Sequence, residues 1–149
     1  MSKLVSLACV LGALWIGLGA TPALADFSAC SSADIAKDPQ QQIDLYTICL
    51  KHGGLMAPDV SGALNNRGVA YYQLGMMDKA FDDFSWAIKY DPTWPTAYIN
   101  RVDVELGRGQ CAQALADMDS VLKFDRRKQY VEKRAHIAAT CPIQSKPPQ

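Results

Sequence analysis

Surplus charge is missing from this chain: fifteen lysines and arginines face fifteen aspartates and glutamates over 149 residues. A nucleic-acid or anionic-membrane ligand favours a strongly basic face, and so even a balance does not supply one. Local signatures of chemistry are missing too. No nucleophile elbow, phosphate-binding loop, dinucleotide fingerprint or zinc-protease histidine pair occurs. Nothing reads as a sheet-forming run, which leaves helices as the expected elements. The expectation is a chain without catalytic residue, metal or cofactor.

What is present begins with a leader. Lys3 gives a positive start, Leu4 to Ala20 is an almost uninterrupted apolar run, and Ala23-Leu24-Ala25 offers the small residues a signal peptidase cuts after. Residues 1–25 are expected to be a signal peptide and the mature chain to begin at Asp26. A retained membrane helix is disfavoured by the glycines in the run and the cleavage pattern behind it. A lipoprotein is disfavoured because Cys9 lies inside the apolar run and Ser6-Leu7-Ala8 is a poor lipobox. Export without an anchor is expected, to a periplasm first and to the outside second. Losing Lys3 leaves a formal charge of about one negative on 124 residues, the natural size of one domain.

The strongest signal is an echo 34 residues apart. Ala63-Leu64-Asn65-Asn66-Arg67, Gly75, Ala80, Asp83-Phe84 and Ala87-Ile88 recur as Ala97-Tyr98-Ile99-Asn100-Arg101, Gly109, Ala114, Asp117-Met118 and Val121-Leu122. A fixed period of this length marks a repeat architecture. The first copy, with Gly68, Tyr71, Gly75, Ala80, Phe84, Ala87 and Pro92, resembles a tetratricopeptide repeat (TPR) closely. In the second copy Val102, Glu105 and Arg126 stand at the small-residue, aromatic and proline positions, so that copy is degenerate. The resemblance implies an all-α fold, a short α-solenoid of antiparallel helix pairs. Helices are expected near 39–52, 59–74, 77–90, 95–107, 110–124 and 127–140. They form a partial repeat at 39–58, a repeat at 61–94, a degenerate repeat at 95–128 and a capping helix at 127–140, since solenoid ends need a covered apolar face. The thirteen mature residues before Pro39 read as too few for a full first helix plus a turn. The tail at 142–149, polar and proline-rich, is expected to be disordered.

Without Cys9 the chain keeps Cys30, Cys49, Cys111 and Cys141, an even number that suggests two disulfides in any of three connectivities. The repeat resemblance implies Cys30 with Cys49 and Cys111 with Cys141, each contributing roughly 3 to 4 kcal/mol by loop closure.

Several residues invite a chemical reading. Cys49 with His52, or His136 with Cys141, suggests a metal site, but neither interval is matched by a second ligand pair of known spacing. Asp82-Asp83 and Asp117 with Asp119 suggest paired carboxylates. Arg67 precedes Asp83 by sixteen residues, however, as Arg101 precedes Asp117. A pair duplicated whole reads as a structural ion pair between helices and not as an active site. Trp86 and Trp94 could offer a stacking platform; sealing the junction between repeats is the favoured role.

Similarity to the family implies a concave groove lined by the first helices of successive repeats. Its matching positions are Asn65, Asn66, Val69, Tyr72 and Gln73 from one helix and Ile99, Asn100 and Asp103 from the next. Asn65, Val69, Asp103 and Gly107 occupy the places where a chaperone-binding TPR grips a terminal carboxylate, so that grip looks absent. The expected function is an exported, non-enzymatic module that binds a peptide segment or helix of another envelope protein. The alternatives are a small hydrolase using surface carboxylates and a structural subunit that docks through its end helices.

Overall fold

Helix punctuation in the sequence sets the frame. Asp38 caps a helix by accepting the Gln41 N–H at 2.9 Å, with Pro39 in the first turn. Pro58 and Pro95 likewise sit in the first turns of later helices, where their missing N–H groups have no intrahelical partner to lose. The computed structural model describes residues 22–52 and 55–141. It contains α1 (Pro22–Ile35), α2 (Pro39–Lys51), α3 (Ala57–Gln73), α4 (Met77–Tyr90), α5 (Pro95–Gly107), α6 (Cys111–Phe124) and α7 (Lys128–Thr140). No strand occurs among the described residues, and no helix there is long and apolar enough to cross a membrane.

The repeat is visible in the turns. After α3, Gly75 adopts φ +71°, its N–H donates to the Tyr72 carbonyl at 2.9 Å, and the Met76 N–H reaches back to Tyr71 at 2.9 Å. After α5, Gly109 adopts the same φ, donates to Leu106 at 3.0 Å, and the Gln110 N–H reaches Glu105 at 2.8 Å. Both are Schellman caps, which require the left-handed conformation that glycine adopts without a Cβ penalty.

Each helix packs on its neighbours in sequence, and α3 also touches α5, so the chain forms a short solenoid. Small residues let the pairs approach. Ala29, Ala33 and Ala63 meet Tyr46 and Cys49 between α1, α2 and α3. Ala87 and Ala97 meet Leu64, with Trp94 packed against them. Ala80, Phe84 and Val104 form a further cluster, and Val102, Ala114, Met118 and Ile137 close the far end. Ile137 is the one buried residue of α7, which therefore covers the last pair through a narrow seam.

The α3–α4 approach rests on Gly68. A Cβ there would lie 2.7 Å from Phe84 Cε1, closer than real contacts allow. Gly68→Ala gains helix propensity of up to ~1 kcal/mol, but the overlap with a fully buried ring dominates, for a net loss of about 1 to 2 kcal/mol. Urea denaturation checks this, and Phe84→Leu in the same chain should recover part of the loss.

The leading repeat differs from expectation. Instead of a lone second helix it is a pair, because α1 starts upstream of the expected mature terminus and lies against α2. The expected cut after Ala25 falls within α1. Residues 1–21 and the tail at 142–149 lie outside the described residues, as the rest of the leader expectation does.

Both expected cysteine pairs are at bonding distance. The Cα atoms of Cys30 and Cys49 are 5.2 Å apart and those of Cys111 and Cys141 5.8 Å apart, inside the range a disulfide spans. One bridge ties α1 to α2 and the other ties the start of α6 to the end of α7.

Candidate binding groove

Residues three and four apart share a helix face, and on α3 the series Asp59, Gly62, Asn66, Val69 follows that spacing. Two cavities open along this face. The larger, about 280 Å³, lies between α1, α2 and α3 and is lined by Asp34, Tyr46, Asp59, Gly62 and Asn66 among others. The smaller, about 110 Å³, lies between α3 and α5 and is lined by Val69, Tyr72, Phe84, Asn100 and Asp103.

A polar ladder runs across the helices beneath them. The Tyr46 hydroxyl donates to Asp34 Oδ1, and Asn66 Nδ2 donates to the same hydroxyl at 3.0 Å. Asn65 Nδ2 donates to Asn66 Oδ1 at 3.3 Å, and Asn100 Nδ2 donates to Asn65 Oδ1 at 2.8 Å. Burial, then the hydrogen bond to Asp34, pushes the Tyr46 phenol up to about 12, so it remains a donor throughout the neutral range. Farther along, Lys133 Nζ of α7 donates to Asp103 Oδ1 at 2.7 Å.

Most expected groove residues share this face, with exceptions. Val69, Tyr72, Asn100 and Asp103 line the smaller cavity and Asn66 the larger. Asn65 is 4% exposed, and its amide is spent on Asn66 and Asn100, so it braces α3 against α5 and offers nothing to a ligand. Gln73 and Ile99 line neither cavity; Gln73 is exposed at the end of α3 and Ile99 is half-buried. Asp34, Tyr46 and Asp59 join the site unanticipated: α1, which carries Asp34 and closes the cavity against α2 and α3, was not expected as a helix.

The two arginines lie away from the cavities. Arg67 Nε and Nη2 grip Asp83 at 2.7 and 2.8 Å, and Arg101 grips Asp117 at the same two distances. A third nitrogen reaches the preceding helix pair, from Arg67 to Thr47 at 3.2 Å and from Arg101 to Ser85 at 3.0 Å. Each arginine thus ties three helices. Among the other acidic candidates, Asp119 is exposed and paired with Arg134, whose hydrogen bond holds its carboxyl below the usual range. No cluster of three potential metal ligands occurs among the described residues. Trp94 packs into the α3–α4–α5 junction, but Trp86 does not seal it: its ring is 49% exposed, with Lys89 Nζ 4.3 Å from the centroid.

Glu105 stands where the first copy has Tyr71. It is 3% exposed, its Oε1 is 4.0 Å from Arg101 Nε, and its Oε2 has no hydrogen-bond partner among the described residues. Burial and then the Asp117 charge push its carboxyl up to about 7, against the pull of Arg101 and Arg108. Below about pH 4.5 the group is protonated folded or unfolded and costs nothing. As pH rises toward 7 the unfolded chain releases a proton that the folded chain keeps, so stability falls, and above 7 the full penalty stands. Glu105→Gln should therefore stabilise the fold by up to about 3 kcal/mol at pH 8 and by nearly nothing at pH 4. Urea midpoints at the two pH values check it; an equal gain at both would exclude the proton linkage.

Comparison with known proteins agrees with this geometry. Residues 61–93 match the tetratricopeptide repeat family. Human tetratricopeptide repeat protein 6 is 30% identical over 95 residues, covering 56% of this chain, while the chain spans only 18% of that relative's length. Among solved structures, the Arabidopsis OM64 TPR domain superposes with a TM-score of 0.70 at 20% identity, over 80% of this chain and 98% of that one. The first TPR of Spaghetti (RPAP3), bound to the HSP90 peptide SRMEEVD, superposes with a TM-score of 0.65 at 19% identity, over 79% of this chain and 91% of that one.

Proposed function

Since the chain is a tetratricopeptide-repeat protein, with the repeat at residues 61–93, we propose that it is an exported, non-enzymatic adaptor that holds a segment of another envelope protein. The observation that carries the reading is the open face of α3 and α5, where Val69, Tyr72 and Asp103 surround a cavity and Asn66 stands exposed beside it. The solved Spaghetti neighbour holds a peptide, which supports peptide capture as the work of such a face. Apolar and aromatic walls with a few polar groups suit side-chain docking more than turnover. Export rests on the leader pattern and on two cysteine pairs at bonding distance, an arrangement that persists in oxidising compartments.

The four carboxylates named for the enzyme alternative do not meet at either cavity. Asp83 and Asp117 are committed to arginines between helices, and Asp82 and Asp119 line neither cavity. Crosslinked pull-down of the processed protein from its native envelope tests the adaptor reading. Tyr72→Ala with Gln73→Ala should weaken capture at least about tenfold, the size expected when a central aromatic contact is removed. Unchanged capture would move the interface to the end helices.

A further inference from the structure

The two cavities differ in what they ask of an occupant. Asp34 and Asp59 both line the larger one, together with Asn66 and Tyr46, and among the described residues no lysine or arginine lines either cavity. Hydrogen bonds from Tyr46 and Asn66 reach Asp34 through Oδ1, which fixes the carboxylate at the rim and leaves Oδ2 to accept from elsewhere. Arg67 and Arg101, the nearest cations on α3 and α5, are turned between helices and held there by Asp83 and Asp117. Lys133 answers Asp103 at the other end of the face. Uncompensated negative charge is thus concentrated at the α1 end, and the smaller cavity, walled by Val69, Tyr72 and Phe84, is mainly apolar.

On these grounds, and resting on the groove reading above, we infer that the occupant is a cationic segment of another protein: a lysine or arginine side chain enters the cavity between α1 and α3, and an apolar side chain fills the cavity between α3 and α5. Charge complementarity selects this partner over an acidic one, because an anionic segment would set its carboxylates against Asp34 and Asp59 with no cation to meet them. The α3 residues lining the two cavities centre on Gly62 and about Ala70, which at a rise of ~1.5 Å per residue puts the cavities roughly 12 Å apart along the helix. An extended peptide covers that distance in about four residues at ~3.3 Å each. The recognised pattern is therefore a basic residue and an apolar residue about four positions apart.

Fluorescence anisotropy with the oxidised full-length protein tests this, using labelled peptides GSKGSGLGS, GSEGSGLGS and GSKGSGSGS. The first should bind at least about tenfold tighter than the second, with an advantage that shrinks as salt rises from about 50 to about 500 mM. Replacing its leucine by serine should also weaken binding. Asp59→Asn, at an exposed position, should remove most of the preference for lysine over glutamate; Asp34→Asn should do the same, with circular dichroism as a control because Asp34 also holds Tyr46. Equal binding of the lysine and glutamate peptides, no binding of any peptide, or a preference untouched by Asp59→Asn would overturn the inference. If the aspartate variants change nothing while Tyr72→Ala abolishes binding of every peptide, the groove stands and its assigned charge preference falls. If the lysine peptide binds and Tyr72→Ala has no effect, the groove itself falls.

Discussion

Reducing both disulfides lowers the unfolding free energy by about 6 to 7 kcal/mol. The bridges close loops with sequence separations of 19 and 30, and the chain-entropy relation assigns roughly 3 kcal/mol to the first and somewhat more to the second. Domains of this size are stable by about 5 to 15 kcal/mol in total, so the loss is a large share of what there is. The end helices make it larger in effect, because α7 fully buries Ile137 alone and cannot hold its place by packing of that extent. Urea denaturation with and without a phosphine reductant measures the change. Hydrogen exchange under reducing conditions should show α7 amides opening before those of α3 and α4. An unchanged midpoint after complete reduction would mean that packing alone docks the ends.

Asp83→Asn costs about 3 to 5 kcal/mol, whereas Asp117→Asn costs distinctly less. Removing one partner of a buried bidentate pair leaves the other charge uncompensated, which is the source of the large figure. Asp83 is nearly buried, and among the described residues Arg67 has around it Thr47 and the Tyr71 ring but no second carboxylate within ion-pair distance. Arg101 is different. Glu105 Oε1 already lies 4.0 Å from its Nε, and losing the Asp117 charge removes one of the two influences that keep Glu105 protonated. The ionised Glu105 can then take over part of the pairing. Thermal or urea unfolding of the two variants side by side checks the ordering, and Glu105→Gln added to Asp117→Asn should bring the cost up toward that of Asp83→Asn. Equal costs for the two single substitutions would exclude the takeover. The exposed Asp82→Asn and Asp119→Asn should lie within about 0.5 kcal/mol of the parent.

The fold was legible wherever one physical requirement recurs at a fixed interval. Glycine at 75 and 109 marks the two left-handed caps, and alanine at 63, 80, 97 and 114 marks the close approaches. Helix limits from α2 to α7 lie within two residues of those expected from the pattern. The first helix was not legible, because its beginning shares residues with a stretch whose composition says leader and cleavage site. Local composition gives no sign that Ala29 and Ala33 pack against Tyr46 and Cys49. The groove was legible as a face but not in its detail. Family position places Asn65 on the inner surface, yet its amide faces Asn100 of the next helix, and only the packing of α3 on α5 decides that. The acidic end of the groove was hidden for the same reason as α1, since Asp34 meets Asn66 across 32 residues.

Nearest-neighbour stacking with one crosslink at each end has a mechanical consequence. When the chain is pulled from its two termini, the loops closed by Cys30–Cys49 and Cys111–Cys141 cannot pay out while the sulfurs remain joined. Between the two bridges extension comes from the span from Cys49 to Cys111, about 60 residues or roughly 200 Å at full stretch. Between the bridges the load runs through α3, α4 and α5, the helices that carry the smaller cavity, so pulling deforms that cavity while the loops closed by the two bridges stay shut.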